Sequence, residues 1–258
     1  MTSTTTTATV ADPSLAGHRV VSRDAWIEAR KRHLQHEKEL TRMRDRLAEE
    51  RRALPWVRVD KTYAFDTPEG PRTLADLFGS NSQLVVYSFM LAPGATQGCP
   101  GCSFMADHLQ GPLVHLQNHD VSVRLVARAP LQEIGAYWRR MGWTLPYASA
   151  GRTDFNLDYG VQFTPEQIAA NRIVYNYAEQ EAWGEDLHGT HVFYKDPAGA
   201  MFHTYSSYAR GADALLTAYA VLDMTPKGRN EAKAMSDWMR RHDEYPQPPA
   251  ASAHACCG

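Results

Sequence analysis

The chain has 258 residues, 43% of them hydrophobic, and a formal net charge of −2. That length suits one sizeable core with added elements, and the balanced charge points away from nucleic acid and from a membrane surface as partners. The longest apolar run, Leu84 to Ala92, falls far short of the roughly 20 residues that span a bilayer. The Thr-rich first twenty residues lack the basic start and apolar stretch of a secretory signal, so a cytoplasmic location is expected.

In chain order, residues 1–21 read as a disordered tail and residues 22–53 as a charged helix with Ser22 as its N-cap. Trp26, His33, Leu40 and Leu47 recur every seven residues, with Ala29, His36 and Met43 offset by three. This narrow seam is expected to dock on the chain's own domain; the sharper alternative is an arm across a second copy, giving a homodimer through this helix. From Leu54 the pattern turns mixed α/β. Trp56 to Asp60 and Lys61 to Phe65 are predicted strands, and Thr73 to Phe78 a short helix closed by Gly79. Gln83 to Met90 is a continuous apolar run, as in a strand buried on both faces. Ser103 to Asn118 has helical spacing, Val121 to Ala127 reads as the next strand, and Pro130 opens a helix that Gly142 closes.

A right-handed crossover makes those two strands parallel neighbours in one sheet. Tyr147 to Val161 is a connection, and 164–187 an insertion without an assigned structure. Thr190 to Lys195 and Ala200 to Tyr205 flank Asp196-Pro197-Ala198-Gly199 as a hairpin. Ala209 to Leu222 and Gly228 to His242 are predicted helices, and 245–258 a flexible tail. The domain proper is thus 54–244.

Four cysteines fall in two tight pairs, Cys99/Cys102 and Cys256/Cys257. They are too few to staple a secreted domain of this size and suit redox or metal chemistry. Cys99 falls where a buried strand passes into a helix. The unpaired N–H groups and dipole of a helix start favour an anion there, which lowers a thiol pKa. The spacing lets Cys102 attack a mixed disulfide formed at Cys99. Cys99 is therefore the candidate nucleophile and Cys102 the resolving thiol. Pro100 fits the first helical turn, where its missing N–H costs nothing. The alternative is a soft-metal or metalloid site built from Cys99, Cys102, Cys256 and Cys257; a third reading is a non-catalytic interaction module.

The segment Leu54 to Arg229 resembles the bacterial thioredoxin-like family known as domain of unknown function 899. The resemblance rests on LPWVRVDKTYAFDTPEG, GCPGCSFMADHL, RAPLQEIGAYWRRMGW, TDFNLDYGV, FHTYSSYARG and LDMTPKGR. It implies a thioredoxin-like three-layer α/β fold with a mixed central sheet, plus added N-terminal and C-terminal helices. More distantly, the order of elements is similar to that of peroxiredoxins. The dithiol reading of the CxxC implies an external thiol reductant and a small-molecule or protein disulfide or peroxide as substrate, with no cofactor beyond a redox-active disulfide. Where thioredoxins carry a proline before the late strand, this chain has Gly189 and Thr190, and its motif dipeptide is Pro-Gly rather than Gly-Pro.

Candidate substrate contacts beside Cys99 are Pro100, Trp143, Gly189, Thr190 and Arg128, with Arg128 or Arg210 available for an anion. Asp154, Asn156 and Asp158 imitate the start of a calcium loop, but Tyr159 and Pro165 break the match. A four-residue hairpin turn pairs Val192 with His203, which sets His191 and His203 on opposite faces. His108 reads as a surface or core histidine.

Overall fold

The structure, a computed structural model, describes residues 17–231 and 235–246. Most of both expected tails, 1–16 and 247–258, lies outside the described residues. The chain divides into two units, Met1–Leu54 and Pro55–Gly258. The first contains α1 (Arg23–Arg52), where the Ser22 hydroxyl accepts the Ala25 N–H at 3.3 Å. No α1 residue is buried, and Trp26, Leu40, Met43 and Leu47 of the seam are about half exposed.

The second unit begins with β1 (Val57–Arg58), the hairpin β2 (Ala64–Thr67) and β3 (Gly70–Thr73), and α2 (Leu74–Leu77). Thr73 and Asp76 cap α2 reciprocally, hydroxyl to N–H and carboxylate to N–H. Next come β4 (Gln83–Ser88), α3 (Pro100–Gln110), α4 (Leu113–Asn118), β5 (Val121–Ala127), α5 (Leu131–Met141) and β6 (Tyr147–Ser149). Gly142 ends α5 with φ +64°, a conformation that glycine adopts at little cost. Then follow α6 (Phe155–Asp158), α7 (Pro165–Ala169), the small hairpin β7 (Ile173–Tyr175) and β8 (Ala178–Gln180), the long hairpin β9 (Gly189–Lys195) and β10 (Met201–Tyr208), and α8 (Thr217–Leu222).

Eight strands form one mixed sheet in the order β1-β10-β9-β4-β5-β6-β2-β3. β4, β5 and β6 run parallel, and β9 lies antiparallel against β4. β5 shows why there are three layers. Val123, Leu125 and Ala127 pack with Met105, Ala106, Ile134 and Trp138 of α3 and α5 on one face. Val126 packs with Leu74, Leu77, Phe78 and Phe155 on the other. Each fully buried large side chain contributes on the order of 1.5–3 kcal/mol. β4 is covered on both sides by these layers, which is why its sequence is apolar without alternation. This is a thioredoxin-like α/β fold.

Four expectations are corrected. The predicted single helix from Ser103 to Asn118 is two helices, because Gly111-Pro112 interrupts it and proline lacks the N–H that would continue the ladder. The described part of Gly228 to His242 is 3-10 turns at 235–237 and 242–244 with irregular chain between, not a helix. The segment 164–187 has structure of its own: the Thr164/Gln167 capping box opens α7, and Asn176 and Tyr177, at φ +52° and +65°, turn the β7–β8 hairpin. Finally, the turn between the two strands spans five residues, 196–200, rather than four, so Lys195 pairs with Met201 and His203 with Phe193, and a bulge between His203 and Tyr205 then sets Ser206 opposite His191. His191 and His203 therefore share a face, each ring nitrogen meeting the Ser206 hydroxyl, at 2.8 and 2.7 Å. Among the described residues, no helix is long and apolar enough to cross a membrane.

Candidate active site: the CPGC turn

The motif sits where β4 hands over to α3. Past β4 the chain stays tied to the sheet, with Phe89 N–H donating to Val126 O at 2.8 Å. The loop 91–98 then returns, and Cys99 N–H donates to Met90 O at 3.0 Å. Glycine is the only residue type that fits at position 98, because a Cβ there would lie 2.3 Å from the Phe89 ring. The Gly98 carbonyl accepts two hydrogen bonds from Arg241, from Nε at 3.0 Å and Nη2 at 2.6 Å. Arg241 is 8% exposed, and its Nη1 pairs with Glu244 at 2.8 Å. A buried guanidinium, satisfied by a carbonyl and a carboxylate, thus clamps the residue before Cys99.

Cys99 is the N-cap of α3 and Pro100 its first residue. The Cys99 carbonyl takes the Ser103 N–H at 2.9 Å and the Ser103 hydroxyl at 2.8 Å, and that hydroxyl also meets Tyr137 Oη at 2.7 Å. Both cysteines are free thiols; Cys99 is half-buried and Cys102 buried. The Cys102 thiol donates a hydrogen bond to Cys99, the largest influence lowering the Cys99 pKa to about 6; the Cys102 and Gly101 backbone N–H groups and the Arg241 charge add to it against a burial effect of opposite sign. Burial pushes the Cys102 thiol well above its ordinary value, and its bond to Cys99 acts in the same direction. Cys102 Sγ further accepts from the buried Tyr87 hydroxyl at 3.4 Å and lies 3.5 Å from the Met90 N–H. One motif therefore pairs a half-buried sulfur with a lowered pKa and a buried one with a raised pKa.

Antiparallel pairing of Ser88 with Gly189 brings the start of β9 to the same end of the sheet as the motif. Gly189 and Thr190 are both buried there, and a Cβ on Gly189 would meet Val161 at 2.8 Å. Arg128 follows β5 at this end, but its guanidinium is held bidentately by Asp186 at 2.9 and 2.7 Å and by Glu185 at 3.2 Å. It braces the loop leading into β9. Arg210 pairs with Asp213. Trp143 is buried against Phe89, Tyr137 and Trp138 and donates from Nε1 to Asp107 at 2.7 Å. His108 joins α3 to α8, meeting Phe104 O at 2.6 Å and accepting the Ala218 N–H at 3.0 Å. Lys61 bridges Asp154 and Asp158. Cys256 and Cys257 lie outside the described residues, and among the described residues no three His, Cys, Asp or Glu side chains converge to hold a metal.

Two site residues escaped the sequence. Tyr87 is hidden in an apolar run, and Arg241 stands 143 positions from Gly98, in a segment whose sequence reads as a helix. The glycine immediately before the motif was the one available local signal.

Fold and site together define a thioredoxin-like protein carrying a CxxC dithiol at a strand-to-helix turn. The chain belongs to the family described as "Bacterial protein of unknown function (DUF899)", whose model matches residues 15–245. No curated protein matches it. Solved structures similar to it include peroxidoxin BcpB from Mycobacterium tuberculosis, at 15% identity and TM-score 0.41, covering 61% of this chain and 90% of that one. Another is a cysteine-to-serine mutant of Xanthomonas campestris peroxiredoxin Q, at 16% identity and TM-score 0.41, with 61% and 90% covered. A yeast mitochondrial 1-Cys peroxiredoxin matches at 14% identity and TM-score 0.38, over 66% of this chain and 78% of that one.

Proposed function

We propose that this protein is a thiol–disulfide oxidoreductase with Cys99 as nucleophile and Cys102 as resolving thiol. The observation that carries the reading is the asymmetry of the pair: half-buried Cys99 has its pKa lowered to about 6, while Cys102 is buried and keeps its proton. At neutral pH a group with that pKa is mostly thiolate, the form that attacks sulfur or peroxide oxygen. With a disulfide substrate, Cys99 forms a mixed disulfide and releases one thiol; Cys102 then displaces the second and closes the internal disulfide. With a hydroperoxide, Cys99 takes the distal oxygen as a sulfenate and releases the alcohol; Cys102 closes the disulfide and releases water. An external thiol reductant restores the pair in either case.

Pro100, Gly189 and Thr190, which surround the motif end of the sheet, are the proposed substrate contacts. Exposed Trp26, Leu40, Met43 and Leu47 on α1 support a second copy as partner through that helix. Replacing Cys99 with Ser tests the chemistry. Turnover of small disulfides or hydroperoxides should vanish while the far-ultraviolet spectrum and melting temperature stay near those of the parent protein. Turnover retained in the variant removes Cys99 from the mechanism.

A further inference from the structure

Cys102 attacks as a thiolate, yet its burial holds the proton on. Some group has to take that proton at the moment of attack. Among the described residues no carboxylate hydrogen-bonds Cys102; its partners are Tyr87, Met90 N–H and Cys99.

The sheet places a base beside this set. Tyr87 on β4 stands directly across from Thr190 on β9. His188 is two residues back, on the same side of the chain, and its ring centre is 6.2 Å from that of Tyr87. Two buried polar atoms here lack a partner, His188 Nδ1 and Thr190 Oγ1. Buried polar atoms are nearly always paired, so two unpaired ones beside a reactive thiol call for an explanation. His188 as a whole is only half-buried, so its ring links the packed interior with solvent.

We infer that His188 accepts the proton Cys102 gives up during resolution, with the Tyr87 hydroxyl between them. The inference rests on the dithiol reading above. In the step itself the Cys99–Cys102 bond forms and the bond from Cys99 to the substrate sulfur breaks. The substrate leaves with the electron pair as a thiolate, and the Cys102 proton passes to His188, which returns it to solvent or to the leaving thiolate. Other groups facing His188 are Tyr175, whose hydroxyl donates to the His188 carbonyl at 2.8 Å, and Asp213. Burial disfavours the charged imidazole, and the Asp213 carboxylate favours it. The ring is thus neutral and ready to accept a proton, with a counter-charge near at hand.

The test uses the full-length reduced protein with Cys256→Ser and Cys257→Ser as its parent, so that only the motif thiols react, and a nitroaryl disulfide reagent followed by stopped flow across pH. The first coloured thiolate reports attack by Cys99 and the second reports resolution by Cys102. His188→Gln should slow the second release at least about tenfold at pH 7 and leave the first within about twofold. The gap should close toward alkaline pH, where Cys102 ionises without help. Tyr87→Phe should reproduce the defect, and the double variant should be no slower than either single one. Second-release profiles in both variants that superimpose on the parent overturn the inference. So does an equal slowing of both releases, which marks a general disturbance of the site. If the parent protein releases only one thiolate per chain, the dithiol reading itself fails.

Discussion

Replacing Cys102 with alanine removes the thiol that donates to Cys99 and leaves the rest of the motif in place. The shift in Cys99 from an ordinary 9.0 to about 6 corresponds to about 4 kcal/mol in favour of the thiolate, at about 1.4 kcal/mol per pKa unit. The Cys102 hydrogen bond is the largest part of that, with backbone N–H groups and Arg241 behind it. Complete loss of the shift would cut the thiolate fraction at pH 7 by about 90-fold. A more basic thiolate is intrinsically more nucleophilic, by about 15- to 30-fold over that range. Alkylation at pH 7 would then slow only about three- to sixfold, so a single-pH rate is a poor readout. The midpoint of the pH profile is the sensitive one. With Cys256 and Cys257 replaced by Ser, iodoacetamide trapping, or ultraviolet absorbance of the thiolate, should give a midpoint near 6 in the parent and above 7 in Cys102→Ala. Cys102→Ser keeps a donor and should stay within about one unit of the parent. A midpoint unmoved in Cys102→Ala would refute the claim that the second cysteine sets the acidity of the first.

Other consequences follow from burial and charge. Because the folded pKa of Cys99 lies below its unfolded value, its ionisation stabilises the reduced protein fully above pH 9 and loses that effect as pH falls to about 6; urea midpoints of the parent minus those of Cys99→Ser should therefore rise through that window, and a flat difference would contradict it. His191 is fully buried, chiefly for which reason its pKa falls to about 3 from 6.5; the unfolded chain binds that proton first, so up to about 5 kcal/mol of stability is lost as pH drops from 6.5 to 3. His191→Phe should flatten the acid slope by about one proton, and an unchanged slope would show that other groups drive it. Gly98→Ala sets a methyl against the Phe89 ring and should cost about 1–3 kcal/mol together with altered Cys99 reactivity; a melting curve and alkylation profile like the parent's would show that the turn can yield.

The central elements were legible because their signals are local. Gln83 to Met90 is apolar without alternation because both faces of β4 are covered, and Gly142 marks the end of α5 because only a left-handed residue can close it there. The reactive pair was legible from CPGC lying after that strand. What was hidden depends on contacts between distant segments. Arg241 reads as a solvated charge until Gly98 is found beneath it. His188 and Thr190 acquire meaning only through the antiparallel register of β9 with β4. The face shared by His191 and His203 depends on a hairpin loop one residue longer than Asp196-Pro197-Ala198-Gly199, and the seating of Ser206 between them depends on the bulge after His203. By contrast, the break at Gly111-Pro112 and the T-x-x-Q box at Thr164 were written in the chain and fell inside segments read too coarsely.

A dithiol that cycles lies at the centre of the proposed chemistry, and equilibrium thiol trapping across a series of glutathione potentials measures that cycling. Cys99 and Cys102 should pass together, in one two-electron transition, from two trappable thiols to none within the range of cytosolic potentials. Thiols that stay reduced throughout, or titrate independently of one another, would contradict the proposal.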